Sequence, residues 1–157
     1  MSVQAATTDL RTNGITKLGQ SNPVPEDIKL WRISVEQYHA MIRSGAFDED
    51  APIELLEGWL VEKMPKSPSP ALATDLVAEY LRAAIRPGWF VRTQDPITLT
   101  DSEPEPDVCV IKGNLRQYAQ QHPQATDVGL VIEISDSSLG KDRGSKKRIY
   151  AHAGIPI

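Results

Sequence analysis

Three carboxylates stand where apolar side chains are expected. Glu133 is flanked by Val131, Ile132 and Ile134, Glu54 lies between Ile53 and Leu55, and Asp107 directly precedes Val108-Cys109-Val110-Ile111. Acids are almost never fully buried without a partner. An isolated buried carboxylate takes up a proton rather than stay charged, and three close together repel one another. A bound divalent cation resolves the conflict, because hard cations take oxygen ligands and reverse the local charge logic. The plain alternative is alternation: successive strand residues face opposite sides, so each acid has about an even chance of meeting solvent. On this argument Glu54 is the weakest of the three, since a hairpin commonly keeps one polar face. Glu133 is the strongest, since its strand is apolar on both flanks.

A cation lies in the same half of the chain. From Lys141 to Arg148 there are Lys141, Arg143, Lys146, Lys147 and Arg148 against the single acid Asp142. Lys147 and Arg148 read as a solvated helix face. Lys146 differs, because it precedes Ile149 and Tyr150 by three and four residues and so projects from the side that is buried. It either snorkels past the edge of the core or reaches the carboxylates. Other chemistries have less to stand on. The one cysteine, Cys109, lies inside an apolar run and reads as an inert core residue. His39, His122 and His152 show no zinc-ligand spacing.

The elements that must position these residues follow from periodicity. Ser34 and Gln37 have capping-box spacing, Val35, Tyr38, Met41 and Ile42 share a helix face, and Gly45 is a stop. Ile53–Leu56 and Trp59–Val61 flank Glu57-Gly58 as a hairpin. Ser69-Pro70 predicts a helix from Pro70 to Ile85, its apolar stripe made of Leu72, Leu76, Tyr80, Leu81, Ala84 and Ile85. Strands are predicted at Trp89–Arg92, Ile97–Leu99, Val108–Ile111 and Val128–Ile134. An acidic, proline-bearing loop covers Asp101–Pro106, a short helix Leu115–Gln121, and a loop Asp136–Gly140. A last helix, Asp142–Ala153, has Lys146, Ile149, Tyr150 and Ala153 on one face. This order predicts an α/β or α+β fold around one mixed β-sheet flanked by helices. Residues 1–27 are polar and end in Ser21-Asn22-Pro23-Val24-Pro25, the signature of a flexible arm. Residues 28–157 are expected to form a single domain.

Length and composition agree. The 157 residues suit one domain, and 40% apolar with 24% charged residues is a globular balance. No apolar run is long enough for a membrane helix, and Met1–Gln20 lacks a signal-peptide core, so a cytoplasmic placement is expected. The net charge is −4 with a pI near 5.4. A protein that binds nucleic acid by bulk charge is usually basic. Nucleic-acid recognition here therefore needs a local patch or metal ions.

Taken as an ordered set, these segments resemble a known family. Pro106-Asp107 followed by Glu133 is similar to the PD-(D/E)XK nuclease pattern. More narrowly, the chain resembles the Uma-two endonuclease family, abundant in cyanobacteria. The matching segments are Glu54-Leu55-Leu56-Glu57-Gly58, Pro104-Glu105-Pro106-Asp107-Val108, Val131-Ile132-Glu133-Ile134-Ser135, and Asp142 through Lys146 to Tyr150-Ala151-His152-Ala153-Gly154-Ile155-Pro156. They cover roughly residues 31–157. The resemblance implies a restriction-endonuclease-like fold and metal-dependent hydrolysis of DNA phosphodiester bonds, with Mg²⁺ or Mn²⁺ as cofactor and a homodimer as a possible assembly. It implies Asp107 and Glu133 as metal ligands, together with the carbonyl of Ile134. Glu54 becomes a further metal- or water-orienting acid, and Lys146 the lysine beside the attacked phosphate. There are departures. Ser135 stands where the wider pattern has lysine, so that role rests on Lys146. Residues Ala71–Thr74 lack the histidine many relatives carry after the Ser-Pro loop. The chain stops at Ile157, before the aromatic strand with which the family usually continues. An inactive nucleic-acid-binding module of the same fold is the alternative these departures leave open.

Overall fold

The computed structural model describes residues 27–48, 51–63, 65, 67–134 and 143–157. The chain divides into a unit Met1–Trp31 and a unit Arg32–Ile157. In the first, the described residues, 27–31, form neither helix nor strand; the rest of the expected arm lies outside the described residues.

Helix α1, Val35–Arg43, starts with a reciprocal capping box. The Ser34 hydroxyl accepts from the Gln37 N–H, and the Gln37 side chain accepts from the Ser34 N–H. This satisfies two amide donors that the first helical turn leaves without partners. Strands β1, Ile53–Leu56, and β2, Trp59–Glu62, form an antiparallel hairpin with Glu54 opposite Val61. Its turn residues both have positive φ, 49° at Glu57 and 80° at Gly58, as a tight hairpin demands. Glycine is required at 58 for a second reason: a Cβ there would stand 2.8 Å from the Cβ of Arg32.

Helix α2, Pro68–Ala84, has Ser67 as its N-cap, two residues earlier than Ser69 predicts. Its buried residues are Pro70, Thr74 and Ala78, whereas Leu72, Leu76 and Tyr80 are 60%, 57% and 73% exposed. The expected apolar stripe therefore faces outward. Small residues face inward, where α2 packs on the sheet and backbones approach closely. The periodicity was helical, but the large residues mark the wrong side.

Strands β3, Trp89–Arg92, β4, Val108–Lys112, and β5, Val128–Ile132, form a second antiparallel sheet in that order. The expected strand at Ile97–Leu99 is reduced to one parallel bridge, Thr98 to Gln124. The expected short helix is a 3-10 turn, Leu115–Tyr118. The fold is thus α+β, and among the described residues its strands form two antiparallel sheets rather than one mixed sheet. Helix α3, Arg143–His152, follows the expected span, while the Asp136–Gly140 loop lies outside the described residues. The larger core contains Ile97, Cys109, Ile111, Val128, Val131, Tyr150 and Ile155; a smaller one contains Val35, Tyr38 and Leu55.

Candidate active site

The hairpin and the acidic loop are joined by backbone. The Glu103 N–H donates to the Leu55 carbonyl at 2.7 Å, and the Gly58 N–H donates to the Asp101 carbonyl at 2.8 Å. Prolines 104 and 106 favour an extended path through this loop, and that path leads directly into β4. It carries Glu103, Glu105 and Asp107 past the hairpin. Glu54 comes from β1, Asp107 from the entrance to β4, and Glu133 from the residue just beyond the end of β5, not from within the strand as the sequence predicts.

Glu54 and Glu133 meet at Lys146, which α3 delivers, and the charge of Asp107 acts on it from nearby. Its Nζ lies 2.9 Å from Glu54 Oε2 and 3.7 Å from Glu133 Oε1, and it donates to the Glu105 carbonyl at 3.1 Å. Glu54 Oε2 also accepts from the Glu105 N–H at 3.1 Å. Asp107 Oδ2 accepts from the Ile134 N–H at 2.7 Å, which ties β4 to the segment holding Glu133. Glu54 and Asp107 are 5% and 6% exposed. All four residues singled out from the sequence thus come from different elements and converge.

The electrostatics reflect that convergence. Burial pushes the Glu133 carboxyl above its ordinary range, and Asp107 and Glu54 push it the same way, while Lys146 and the Tyr150 hydroxyl oppose them. Burial pulls the Lys146 ammonium down, but Glu133, Glu54 and Asp107 outweigh it, so the group is held above its ordinary value.

Two positioning contacts were not assigned from sequence. The Tyr150 hydroxyl donates to Glu133 Oε1 at 2.6 Å from a fully buried ring. Desolvation and Glu133 hold that hydroxyl protonated far above the usual phenol range. Tyr150 was legible as a buried helix residue, and the signal for its second role was its phenol among core side chains, since a buried hydroxyl needs a partner. Arg148, expected to be a solvated residue, forms a two-point contact with Glu57 at 2.9 and 2.6 Å. It fastens α3 to the hairpin turn that carries Glu54. Burial pushes the Cys109 thiol up to about 12, in keeping with an inert core residue.

The oxygen-rich donor set fits a hard divalent cation such as Mg²⁺ or Mn²⁺, and its acids outnumber the one ammonium among them. Among the described residues no three acid, histidine or cysteine side chains form a ready-made metal cluster; the Lys146 ammonium stands among the oxygens instead. No helix among the described residues is long and apolar enough to cross a membrane.

Comparison with known proteins gives two findings. The model of the Uma2 family, described as "Putative restriction endonuclease", matches residues 35–157. The fold is similar to a crystal structure described as "a putative nuclease belonging to DUF820" from Anabaena variabilis ATCC 29413. The TM-score is 0.56 at 17% sequence identity, over 77% of this chain and 67% of that one. No curated protein matches the chain.

Proposed function

Since the chain belongs to the Uma2 family, we propose that it is a metal-dependent endonuclease that hydrolyses phosphodiester bonds of DNA. One observation carries this reading: Glu54 and Glu133, from separate elements, pair with a single, largely buried lysine, and the charge of Asp107 acts on the same group. Acids are almost never fully buried unless paired, and one ammonium leaves part of this negative charge for a cation to neutralise. Asp107 and Glu133 would hold Mg²⁺ or Mn²⁺, with Glu54 as a further acid and the Ile134 carbonyl beside them. The ion supplies polarisation of the phosphate and a lowered pKa for bound water. Lys146 places a fixed positive charge where a phosphate approaching the acids gains negative charge in the transition state. Tyr150 holds the Glu133 carboxylate in one orientation, and Arg148 keeps α3, and so Lys146, at a fixed distance from Glu54.

The test is cleavage of DNA with Mg²⁺ or Mn²⁺. Asp107→Ala and Glu133→Ala are each expected to lower the rate at least about 100-fold, the scale of losing a major electrostatic contributor, with the circular-dichroism spectrum unchanged. Undiminished cleavage in either variant rejects the assignment. A second reading, an inactive DNA-binding module, is favoured by the ammonium already standing among the carboxylates. It predicts salt-dependent DNA affinity with no cleavage by the unaltered protein.

A further inference from the structure

An open cleft of about 570 Å³ lies apart from the acid cluster, between α1 and the segment around the 3-10 turn. One wall carries His39 and Arg43. They are one helical turn apart on α1 and so share a face. Thr98 and Glu103 line the cleft near His39, and Gln121 and His122 also line it.

Glu103 anchors this arrangement. Its carboxylate is 3% exposed, and its Oε2 takes both His39 Nε2 at 2.7 Å and the Thr98 hydroxyl at 2.7 Å. A carboxylate on one ring nitrogen fixes the tautomer and orientation of an imidazole. The remaining nitrogen, Nδ1, has no partner among the described residues, and neither do the Arg43 guanidinium and the His122 ring. The one acid lining the cleft is thus already engaged, while the Arg43 guanidinium and the side-chain amides of Gln120 and Gln121 offer unengaged donors. That combination suits an anion. The volume is that of a site for a nucleotide-sized group, larger than a lone phosphate needs, and side-chain amides such as that of Gln121 can meet a base or sugar edge.

We propose that this cleft is a second DNA contact, a subsite that binds a backbone phosphate and its nucleotide beside the cleavage point. It deepens the endonuclease reading and rests on it for the choice of DNA as ligand. The geometry sets the spacing. Glu103 and Asp107 lie on one extended segment four residues apart, which spans at most about 14 Å. With a rise of roughly 3.4 Å per base step along the helix axis, that reach between Glu103, on the cleft wall, and Asp107 corresponds to about four base steps. Arg43 contacts phosphate in the cleft, and His39 offers Nδ1 as an acceptor to a sugar or base donor; the acids and Lys146 remain the reacting end.

The experiment is anisotropy titration of a fluorescein-labelled DNA duplex by the full chain in EDTA, at several salt concentrations. It is paired with single-turnover cleavage at saturating DNA in Mg²⁺. Arg43→Ala and His39→Gln are each expected to weaken binding about 3- to 10-fold. For Arg43→Ala the slope of log affinity against log salt should fall by about one, the mark of a lost phosphate contact. The saturated cleavage rate should not change. Arg43 is exposed and has no partner among the described residues, so its variant tests the cleft without threatening the fold. If the unaltered protein binds and cuts but both variants bind as it does, with the same salt slope, the cleft proposal is overturned and the endonuclease reading stands. If the unaltered protein binds without cutting, and the variants bind more weakly, the endonuclease reading fails and the cleft remains. Absence of DNA binding by the unaltered protein overturns the cleft.

Discussion

At the scale of single residues, Lys146 and Glu133 act on the fold in opposite directions. The Lys146 ammonium is held above its ordinary 10.5. Its contribution to stability is fully present below that pH and is lost as pH rises through the higher folded value. Glu133 is a carboxyl raised above its ordinary 4.5. Its contribution is favourable below that pH and is lost as pH rises through the raised value, which leaves its charge a liability at neutrality. The two substitutions should therefore diverge at pH 7. Lys146→Met removes the cation facing Glu54 and Glu133. Breaking a fully buried pair costs about 3–5 kcal/mol; with the lysine side chain 21% exposed, screening reduces the expectation to about 2 kcal/mol, read from urea unfolding. Glu133→Gln should unfold at no lower urea concentration than the unaltered protein, and any advantage should vanish below pH 4.5. A Glu133→Gln protein markedly weaker at pH 7 contradicts this account. The acids were visible in the sequence because each interrupts an apolar run, and Lys146 because of its spacing from Ile149 and Tyr150. What stayed hidden were the partners: the Tyr150 hydroxyl on Glu133 and the Arg148 contact with Glu57 depend on which turn of α3 meets which acid, and no local pattern encodes that.

At the scale of elements, the instructive case is α2. Its length and period were legible, but its orientation was not. Leu72, Leu76 and Tyr80 recur at steps of four, and so do Pro70, Thr74 and Ala78 two residues earlier. Hydrophobicity selects the first set, whereas close approach of the helix to the sheet selects the second. The two rules conflict wherever one helix side is bulky and the other small. Substitution separates them. Leu76→Gln should change the unfolding free energy by no more than about 0.5 kcal/mol, as an exposed site does. Ala78→Leu should destabilise by about 1–3 kcal/mol through overpacking. Chemical denaturation of both variants decides, and the reverse order would restore the stripe as the buried side. The hairpin, by contrast, was readable because Glu57-Gly58 is a local turn signal, and both φ values are positive as that signal requires.

At the scale of the whole molecule, the α+β class was legible from the order of elements, while the pairing of the strands was not. Register and sheet partition depend on contacts far apart in sequence, such as the Glu103 link to Leu55 and the Val131 N–H on the Pro156 carbonyl at 2.9 Å. The acid cluster also bears on stability as a whole. Lys146 supplies an internal cation that offsets part of its charge, so the fold is expected to form without a metal. The melting temperature in excess EDTA should match that in metal-free buffer, while Mn²⁺ at about 100 times its Kd should add about 2.7 kcal/mol of stability. Unfolding by EDTA alone would make a metal part of the fold. The linear arrangement of the site has a further consequence, for protein synthesis. A ribosome makes Glu54 first, then Asp107, then Glu133, and Lys146 only after all three. Until α3 emerges, a nascent chain that had already paired its strands would gather acids without their counter-charge. The last helix thus acts as a completion signal: a chain that ends before residue 146 lacks the ammonium that faces Glu54 and Glu133.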